Sequence, residues 1–280
     1  MRTTLDSPVW NDAERFSATS GNLTFNLFYD SFNPFHNKIA GKVVSCGVFS
    51  LRCLNLPYDI SRKPENTCFF ALTPLPYSSD VVTISTLSSP LVDQLLPYND
   101  GKVIGTYRHP LGRLIRLRIK PTIHDILAGR KLMGFGSHAC EQFCANCLCT
   151  VAEVERLDHD VWTSRNATAV RTAAAAWEVA PTLSRRDELF KLSGVRGSPL
   201  HRLEYRDPVK HIVLGVMHNW LEGVLQHHWR VKFAVGAQLP GENVEDERPD
   251  RATATDRMDL DETDEDLRKR ERAAVDSLEL

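Results

Sequence analysis

Three segments within the first 72 residues have the sequence patterns of β-strands. In residues 21–30 the apolar side chains stand at every second position, and the run ends at Asp30. Residues 39–53, rich in β-branched side chains, predict a second strand, and residues 67–72 predict a third. Three successive strands favour a sheet at the start of the chain.

A helix and a hairpin are predicted between the third strand and Asp125. Residues 88–90 (Ser-Ser-Pro) are typical of a helix start with proline at the first helical position, and leucine and valine follow at helical spacing. Residues 102–107 and 113–119 flank a His-Pro-Leu-Gly string at residues 109–112, which predicts a hairpin with its turn there. The second arm of this hairpin runs toward Asp125.

Beyond Asp125 the pattern becomes helical. Residues 167–180 are rich in alanine, a short helix is expected to open at Ser184 and end at Gly194, and a long amphipathic segment begins at Pro208. The element order predicts an α/β fold with helices concentrated after the sheet.

We expect three parts along the chain: a sheet domain over residues 1–130, a mainly helical region over residues 131–236 and a tail over residues 237–280. Residues 241–280 hold 15 acidic and 7 basic residues and few large apolar side chains. Such a segment cannot bury enough surface to offset chain entropy, so we expect a disordered acidic tail.

The formal net charge of −2 hides an asymmetry. Residues 241–280 carry −8, so residues 1–240 carry +6. A mildly basic body is compatible with nucleic-acid binding, although an ordinary solvated surface would have a similar charge.

The chain has 280 residues, of which 42% are hydrophobic, enough for one sizeable core. It has no apolar run long enough to span a membrane, and its first residues lack the apolar stretch of a signal peptide. We therefore expect an intracellular protein, nuclear or cytoplasmic, that is neither secreted nor bound to a membrane.

Two carboxylates, Asp30 and Asp125, are predicted at strand ends. Neighbouring carboxylates of this kind could hold hard divalent cations, as two-metal phosphoryl chemistry requires. Aspartate is also common in turns after strands, so the two residues alone leave both interpretations open.

Four cysteines crowd into residues 140–149 with the spacing C-x3-C-x2-C-x-C. Cys144 and Cys147 form a C-x2-C pair, which is typical of half a zinc site. The remaining ligands stay open: Cys140, Cys149, His138 or histidines far along the chain could complete it. Free thiols are the alternative.

His218 and Glu222 are four residues apart in the amphipathic segment, so they share one helical face. A single helical histidine is more often a structural hydrogen-bonding residue than a metal or DNA ligand. His218 and Glu222 are therefore secondary candidates.

Several of these strings, in this order, resemble those of CACTA (En/Spm) transposases, in particular the basidiomycete branch. Residues 30–35 (DSFNPF) are similar to the family's D-G-x-N-P-F string. Asp125 with the glycine-rich and cysteine strings after it resembles the second-aspartate and cysteine-knuckle region. The resemblance spans residues 7 to 236 and extends through residues 194–204 (GVRGSPLHRLE) and 205–228, which contain the Met-His-Asn string.

The resemblance implies a ribonuclease-H-like core over residues 20–130 and DNA strand transfer at a DDE metal site. Asp30 and Asp125 would be the first two carboxylates, with Mg²⁺ or Mn²⁺ as the ion. Cys144 and Cys147 would be the cysteine half of a zinc site. DNA and full-length transposase subunits are the implied partners.

The chain also departs from the family pattern. Serine replaces glycine after Asp30, and Gly197 stands where relatives often have an aromatic residue. The family's third acid and late histidines would follow the Met-His-Asn string, where this chain has its acidic tail, and Glu222 is the only nearby carboxylate that could substitute. We expect a truncated, catalytically incomplete transposase-derived protein; a non-catalytic DNA- or transposase-binding module and a reading frame that never folds are the alternatives.

Overall fold

The structure, a computed structural model, describes residues 11–33, 46–74, 77–156, 158 and 162–233. These residues form an α/β fold with a mixed sheet, which confirms the predicted class at this level. The strands are β1 (Asn22–Phe32), β2 (Cys46–Cys53), β3 (Thr67–Leu72), β4 (Lys102–Thr106), β5 (His109–His124) and β6 (Ile212–Leu214).

The helices are concentrated on either side of β4 and β5 in the sequence. They are α1 (Asn11–Ser17), α2 (Tyr58–Ser61), α3 (Val81–Leu95), α4 (Ile126–Met133), α5 (Ala167–Glu178) and α6 (Leu183–Ser193). A last helix, α7, is π-helical over Met217–Leu225 and His228–Lys232.

The sheet order is β3-β2-β1-β5, and both β4 and β6 pair with the edge of β5 opposite β1. β1, β2 and β3 form an antiparallel meander, whereas β1, β5 and β6 run parallel. Parallel neighbours need a crossover connection, and the segment containing α3 carries the chain from β3 back to β5. The C-terminal ends of β1 and β5 therefore meet at the same edge of the sheet.

The hydrophobic core includes residues from the sheet, α3 and α4. Leu27, Phe49 and Ile119 of the sheet are fully buried, and Ile84 of α3 and Leu132 of α4 belong to the same cluster. Fully burying a side chain of this size contributes about 1.5–3 kcal/mol. Strands β1 and β5, which contribute to this core, are thereby held firmly in place.

Helix α3 begins earlier than the Ser-Ser-Pro string predicts. Asp80 is its N-cap, and the Asp80 carboxylate accepts a hydrogen bond of 2.7 Å from the Thr83 N–H. Ser88 and Pro90 lie inside the helix. Asp80 satisfies an otherwise unpaired N–H of the first turn, so it sets the start before the serines are reached.

The hairpin turn lies at Tyr107 and Arg108, not at residues 109–112. Thr106 pairs with His109, which leaves a two-residue connection. The predicted turn string belongs to β5, where Gly112 has a φ of 89°. A two-residue connection suits a tight hairpin, and the glycine accommodates an irregularity within the strand pair.

Residues 212–214 form β6, although the pattern predicts a continuous amphipathic segment from Pro208. β6 pairs in parallel with Thr122, Ile123 and His124. Three residues are too few to show a strand period, so pairing with β5 decides their conformation. The sheet therefore uses residues on both sides of the expected boundary at residue 130.

Some predictions fall outside the described residues: the start of the second strand at residues 39–45 and the acidic tail at 237–280. Among the described residues, none of the helices has the length and apolar character needed to cross a membrane.

Helix α4 packs directly on the ring of His124, which is buried. A Cβ built at Gly129 would lie 1.9 Å from His124 Cε1. Glycine is therefore required at position 129 because there is no room for a side chain.

We predict that Gly129→Ala destabilises the fold by about 1–3 kcal/mol, because the added methyl group forces α4 or His124 to move. In an open helix the same change stabilises by about 1 kcal/mol, so the sign is diagnostic. Denaturant unfolding followed by circular dichroism measures the effect. Gly105→Ala is the matched control, since its new Cβ meets nothing closer than 3.4 Å; a neutral or stabilising Gly129→Ala would contradict the packing.

Candidate carboxylate and cysteine sites

The carboxylates of Asp30 and Asp125 lie at the same edge of the sheet. β1 and β5 run parallel, and Phe28 stands opposite Ile123. Asp30 comes two residues after Phe28, and Asp125 comes two residues after Ile123. Neighbouring strands are about 4.8 Å apart. The two aspartates, 95 positions apart in the sequence, are thus brought side by side.

A bulge in β5 produces this alignment. Phe25 pairs with Ile119 but Leu27 pairs with Thr122, so β5 has one residue more than β1 in this interval. Pro121 lies in the extra stretch, where the missing N–H costs little. Without the bulge, the register would place Asp30 opposite the residue before Asp125.

Asp125 is held by the first turn of α4. It is the N-cap, and its carboxylate accepts a hydrogen bond from the Ala128 N–H. The preceding His124 places Nδ1 2.7 Å from the Asp125 carbonyl oxygen. Burial lowers the pKa of His124, which favours a neutral ring with one N–H that donates to this carbonyl.

Opposing effects act on the pKa of the Asp30 carboxyl. Burial raises the pKa of its carboxyl and the neighbouring Asp125 raises it too, whereas the Ser31 N–H and His218 lower it. The net direction is upward. The ionised form of Asp30 is therefore costly in the folded chain, and a cation at the carboxylate pair would relieve that cost.

His218 bridges two carboxylates. Its Nε2 lies 3.2 Å from Asp30 Oδ2, and its Nδ1 lies 3.0 Å from Glu222 Oε2. A ring that carries both N–H groups satisfies both acids. Glu222 thus reaches Asp30 through His218, and its own side chain stays 56% exposed.

Helix α7 is anchored beside the aspartates by the carbonyl oxygen of His124. The Gly215 N–H donates to it at 2.9 Å, and Asn219 Nδ2 donates at 3.5 Å. Asn219 also bonds Gly215 O at 2.9 Å. These contacts place the Met-His-Asn string of residues 217–219 against the end of β5, which explains how His218 meets Asp30.

Three thiols of the cysteine string lie near one another. Cys144 Sγ accepts from the Asn146 N–H at 3.4 Å, the arrangement expected of the first cysteine in a knuckle. Burial raises the pKa of Cys147 to about 11, and the nearby thiols of Cys144 and Cys149 contribute to the rise. Cys149 is buried, and its pKa is raised as well, chiefly by desolvation.

Arg165 holds the cysteine loop in place. Its buried guanidinium donates to the carbonyl oxygens of Cys144, Gln142 and Ser193 at 2.7, 3.0 and 3.0 Å. Burial lowers its pKa, while the proximity of Cys144 and Cys147 acts in the opposite direction.

The other predicted zinc ligands are placed differently. Cys140 lies against Gly136 and close to Arg130. His138 is exposed and, within the described part of the chain, forms no hydrogen bond. In that same part, no three His, Cys, Asp or Glu side chains are arranged closely enough to hold a metal ion as they stand.

Two organising residues are missing from the sequence-based prediction, Arg165 and Asn219. A buried arginine that clamps carbonyl groups leaves no periodic pattern, so nothing distinguishes Arg165 from surface arginines. Asn219 belongs to the Met-His-Asn string, but its partner at His124 is 95 positions away in the sequence.

We predict that Asp30→Asn raises the free energy of unfolding at pH 7 by up to about 1 kcal/mol. The pKa of Asp30 is raised in the folded state, so the folded chain favours the protonated carboxyl. Asp30 therefore stabilises the fold below its pKa in the unfolded chain, near 4, and this stabilisation is lost at higher pH. The gain from Asp30→Asn should therefore vanish as the pH falls below about 4.

The measurement is denaturant unfolding between pH 3 and pH 8. Asp93→Asn is the matched control, since exposed Asp93 pairs with Arg202 at 2.7 Å and its loss should cost about 0–1 kcal/mol. A destabilised Asp30→Asn at pH 7 would mean that the His218 contact outweighs burial.

Neither a scan against models of known protein families nor a search of curated proteins finds a match to this chain. We therefore infer the function of the chain from the geometry of the two sites.

Proposed function

We propose that this chain is a transposase-derived fragment related to DDE DNA strand transferases, with a divalent-cation site at Asp30 and Asp125. The observation that carries the proposal is the convergence of these two carboxylates at one sheet edge, where the nearby Asp125 helps to raise the pKa of the Asp30 carboxyl. DNA is the proposed substrate class, and among the described residues Asp30 and Asp125 are the carboxylates proposed to hold the ion.

The strand arrangement supports a ribonuclease-H-like core. An antiparallel meander of β1, β2 and β3 is joined by β5, which runs parallel to β1; β5 also pairs with the parallel β6 and the antiparallel β4. One carboxylate is on the central strand β1, and the second follows its parallel neighbour. In open sheets with parallel strands, sites form beyond the carboxyl ends, which is where both aspartates lie.

The donor set fits Mg²⁺ or Mn²⁺. Both ions prefer oxygen ligands, and Mg²⁺ is commonly bound by one or two carboxylates together with water and substrate phosphates. Such ions, when bound, activate the attacking oxygen and stabilise the leaving oxygen in phosphoryl transfer.

The protein residues contribute orientation. The Ser31 N–H holds Asp30 Oδ1 at 2.8 Å, and the Ala128 N–H holds Asp125. Each carboxylate keeps a second oxygen for a ligand, and at Asp30 that oxygen faces His218. His218 therefore competes for the same atom or shares it.

Glu222 is the candidate for the third acid, and its position argues for incompleteness. Its carboxylate is bonded to His218 and is separated from Asp30 by the width of an imidazole ring. A third metal ligand would have to approach the aspartates directly. We therefore expect little or no strand transfer by this chain alone.

The second candidate function is a non-catalytic module that binds DNA or a full-length transposase subunit. The contact between His218 and Asp30 Oδ2 favours it, because this contact occupies a metal-binding atom with a protein donor.

Cys144 and Cys147 are the proposed zinc ligands, with Cys149 a candidate third; the loop would have to close around the ion, since no three such groups of the described residues are close enough as they stand. Thiolates are preferred zinc ligands, and the Asn146 N–H already points at Cys144 Sγ. Bound zinc would stabilise the thiolates and close the loop held by Arg165. A fourth ligand remains to come from Cys140, His138 or another group.

We predict that the chain binds Mn²⁺, and that Asp30→Asn and Asp125→Asn each weaken binding at least about tenfold, because one of two anionic ligands is lost. Electron paramagnetic resonance of free Mn²⁺ measures the affinity. Asp93→Asn, a distant exposed aspartate, should bind as the wild type does.

Unchanged Mn²⁺ affinity in both site variants would sink the proposed cation site. The same preparations should leave plasmid and oligonucleotide DNA uncut in Mg²⁺ or Mn²⁺. Cleavage that disappears in Asp30→Ala would show that the site is complete, and would overturn the expected inactivity.

We predict about one equivalent of bound zinc, lost in Cys144→Ser and in Cys147→Ser. Elemental analysis of purified protein measures it, and the exposed Cys68→Ser on β3 is the matched control. Zinc affinity should fall as the pH is lowered, because the thiols must lose protons to bind. Full zinc content in both knuckle variants would rule this site out.

A further inference from the structure

The β4–β5 hairpin, residues 102–118, concentrates positive charge and is here called the basic hairpin. It carries Lys102, Arg108, Arg113, Arg116 and Arg118, while residues 101–124 contain no aspartate or glutamate. A stretch of 24 residues with this bias is unusual in a chain whose acidic and basic residues nearly balance overall.

The cations of the basic hairpin form no ion pair with an acidic side chain in the part of the chain that the structure describes. Arg113 is oriented by Ser20 Oγ at 3.3 Å, and Arg116 Nε donates to the carbonyl oxygen of Asp100 at 3.3 Å. Arg113 and Arg116 are thus held in position by uncharged groups, whereas the Arg118 guanidinium lies over the rings of Phe16 and Tyr205, 4.2 and 5.4 Å from their centres.

Two large side chains at or near the tip of the basic hairpin, one aromatic and one aliphatic, are fully accessible to solvent. Tyr107 is 100% exposed and Leu111 is 99% exposed. Neither side chain contributes to the core, so their hydrophobic surface gains nothing from the fold itself. Exposed aromatic and aliphatic residues amid arginines are the composition found where proteins contact bases and sugars.

We propose that the basic hairpin is a binding arm for duplex DNA. This inference deepens the proposed function, because it assigns a surface to the nucleic-acid partner. A two-stranded β-ribbon fits the major groove, which is about 12 Å wide, and arginine is the side chain best suited to phosphates and guanine edges. The tip residues, Tyr107 and Leu111, then contact bases or sugars in the groove.

The distribution of charge favours a duplex over an anionic membrane. At about 3.3 Å per residue, the cations of β5 are spread over about 30 Å from the tip, with Arg113 on one face of the strand and Arg116 and Arg118 on the other. A flat surface touched by the tip would be screened from most of them, since the Debye length is about 8 Å at physiological salt. A phosphate backbone, with one charge per about 1.7 Å of duplex, can follow the whole line.

Strand β5 links this arm to the carboxylate pair. Arg116 and Asp125 are nine residues apart, which is about 30 Å along a strand. That distance is close to one turn of B-DNA, about 34 Å. The arm would therefore hold DNA roughly one helical turn from Asp30 and Asp125.

The test is fluorescence anisotropy with a labelled 30-base-pair duplex, without added Mg²⁺ or Mn²⁺ and between 50 and 200 mM salt. The triple variant R108Q/R113Q/R116Q should bind at least about tenfold more weakly at the lowest salt. Its slope of log affinity against log salt should fall by about 2–3, because about one counterion is released per phosphate contact. The charge-matched control K63Q/K191Q/K210Q, made from exposed lysines elsewhere, should keep the wild-type slope.

Tyr107→Ala tests the tip separately, because it leaves every charge in place. We expect about fivefold weaker binding or more with an unchanged salt slope. Circular dichroism melts of all variants check that the fold survives. Wild-type affinity in the folded triple variant would overturn the proposal, as would equal losses in the triple variant and its lysine control.

Vesicles of phosphatidylcholine with phosphatidylserine test the membrane alternative. We expect no capture at 150 mM salt; capture that the triple variant abolishes, without DNA binding, would reassign the hairpin to a membrane. Mn²⁺ binding by the triple variant separates the two proposals. If the triple variant still binds Mn²⁺ but no longer binds DNA, the DNA-binding role of the hairpin is supported. If DNA binding depends on the hairpin but the protein binds no Mn²⁺, only the proposed cation site is ruled out.

Discussion

The parallel pairing of β1 with β5, with its single bulge, is the constraint on which the candidate site depends. The bulge between Phe25 and Leu27 advances β5 by one residue, and this step aligns Asp30 with Asp125. A shift of one residue also exchanges the faces to which side chains point. The core cluster, which includes Leu27 and Ile119, therefore stabilises the same register that brings two like charges together.

Polar contacts hold α7 in place where burial does not. Its large apolar side chains, including Met217 and Trp220, are about half exposed. The helix is instead tied to the sheet by the His124 carbonyl oxygen and by His218 on Asp30. A ligand that takes Asp30 Oδ2 removes one of these ties, so occupation of the site and the position of α7 are energetically coupled.

The sequence predicted what local patterns encode. Alternation predicted β1 with Asp30 at its end, and the structure extends the strand by two residues, to Phe32. β6 escaped prediction because three residues show no period, and the hairpin turn was misplaced because Pro110 and Gly112 look like turn residues but lie within β5. The cysteine spacing indicated a cluster around Cys144, but its grouping depends on Arg165, whose partners lie 21 to 28 positions away.

The net charge of the whole chain hides how unevenly charge is distributed along β5. Its first half pairs with β4 and carries Arg113, and Arg116 and Arg118 follow where β5 pairs with β1. Its last three residues lie between β1 and β6 before the chain reaches Asp125. Cations and carboxylates are thus separated along one rigid strand, and neither cancels the other across about 30 Å of screened solution. A chain with nearly zero net charge can in this way present one surface to a polyanion and another to a divalent cation.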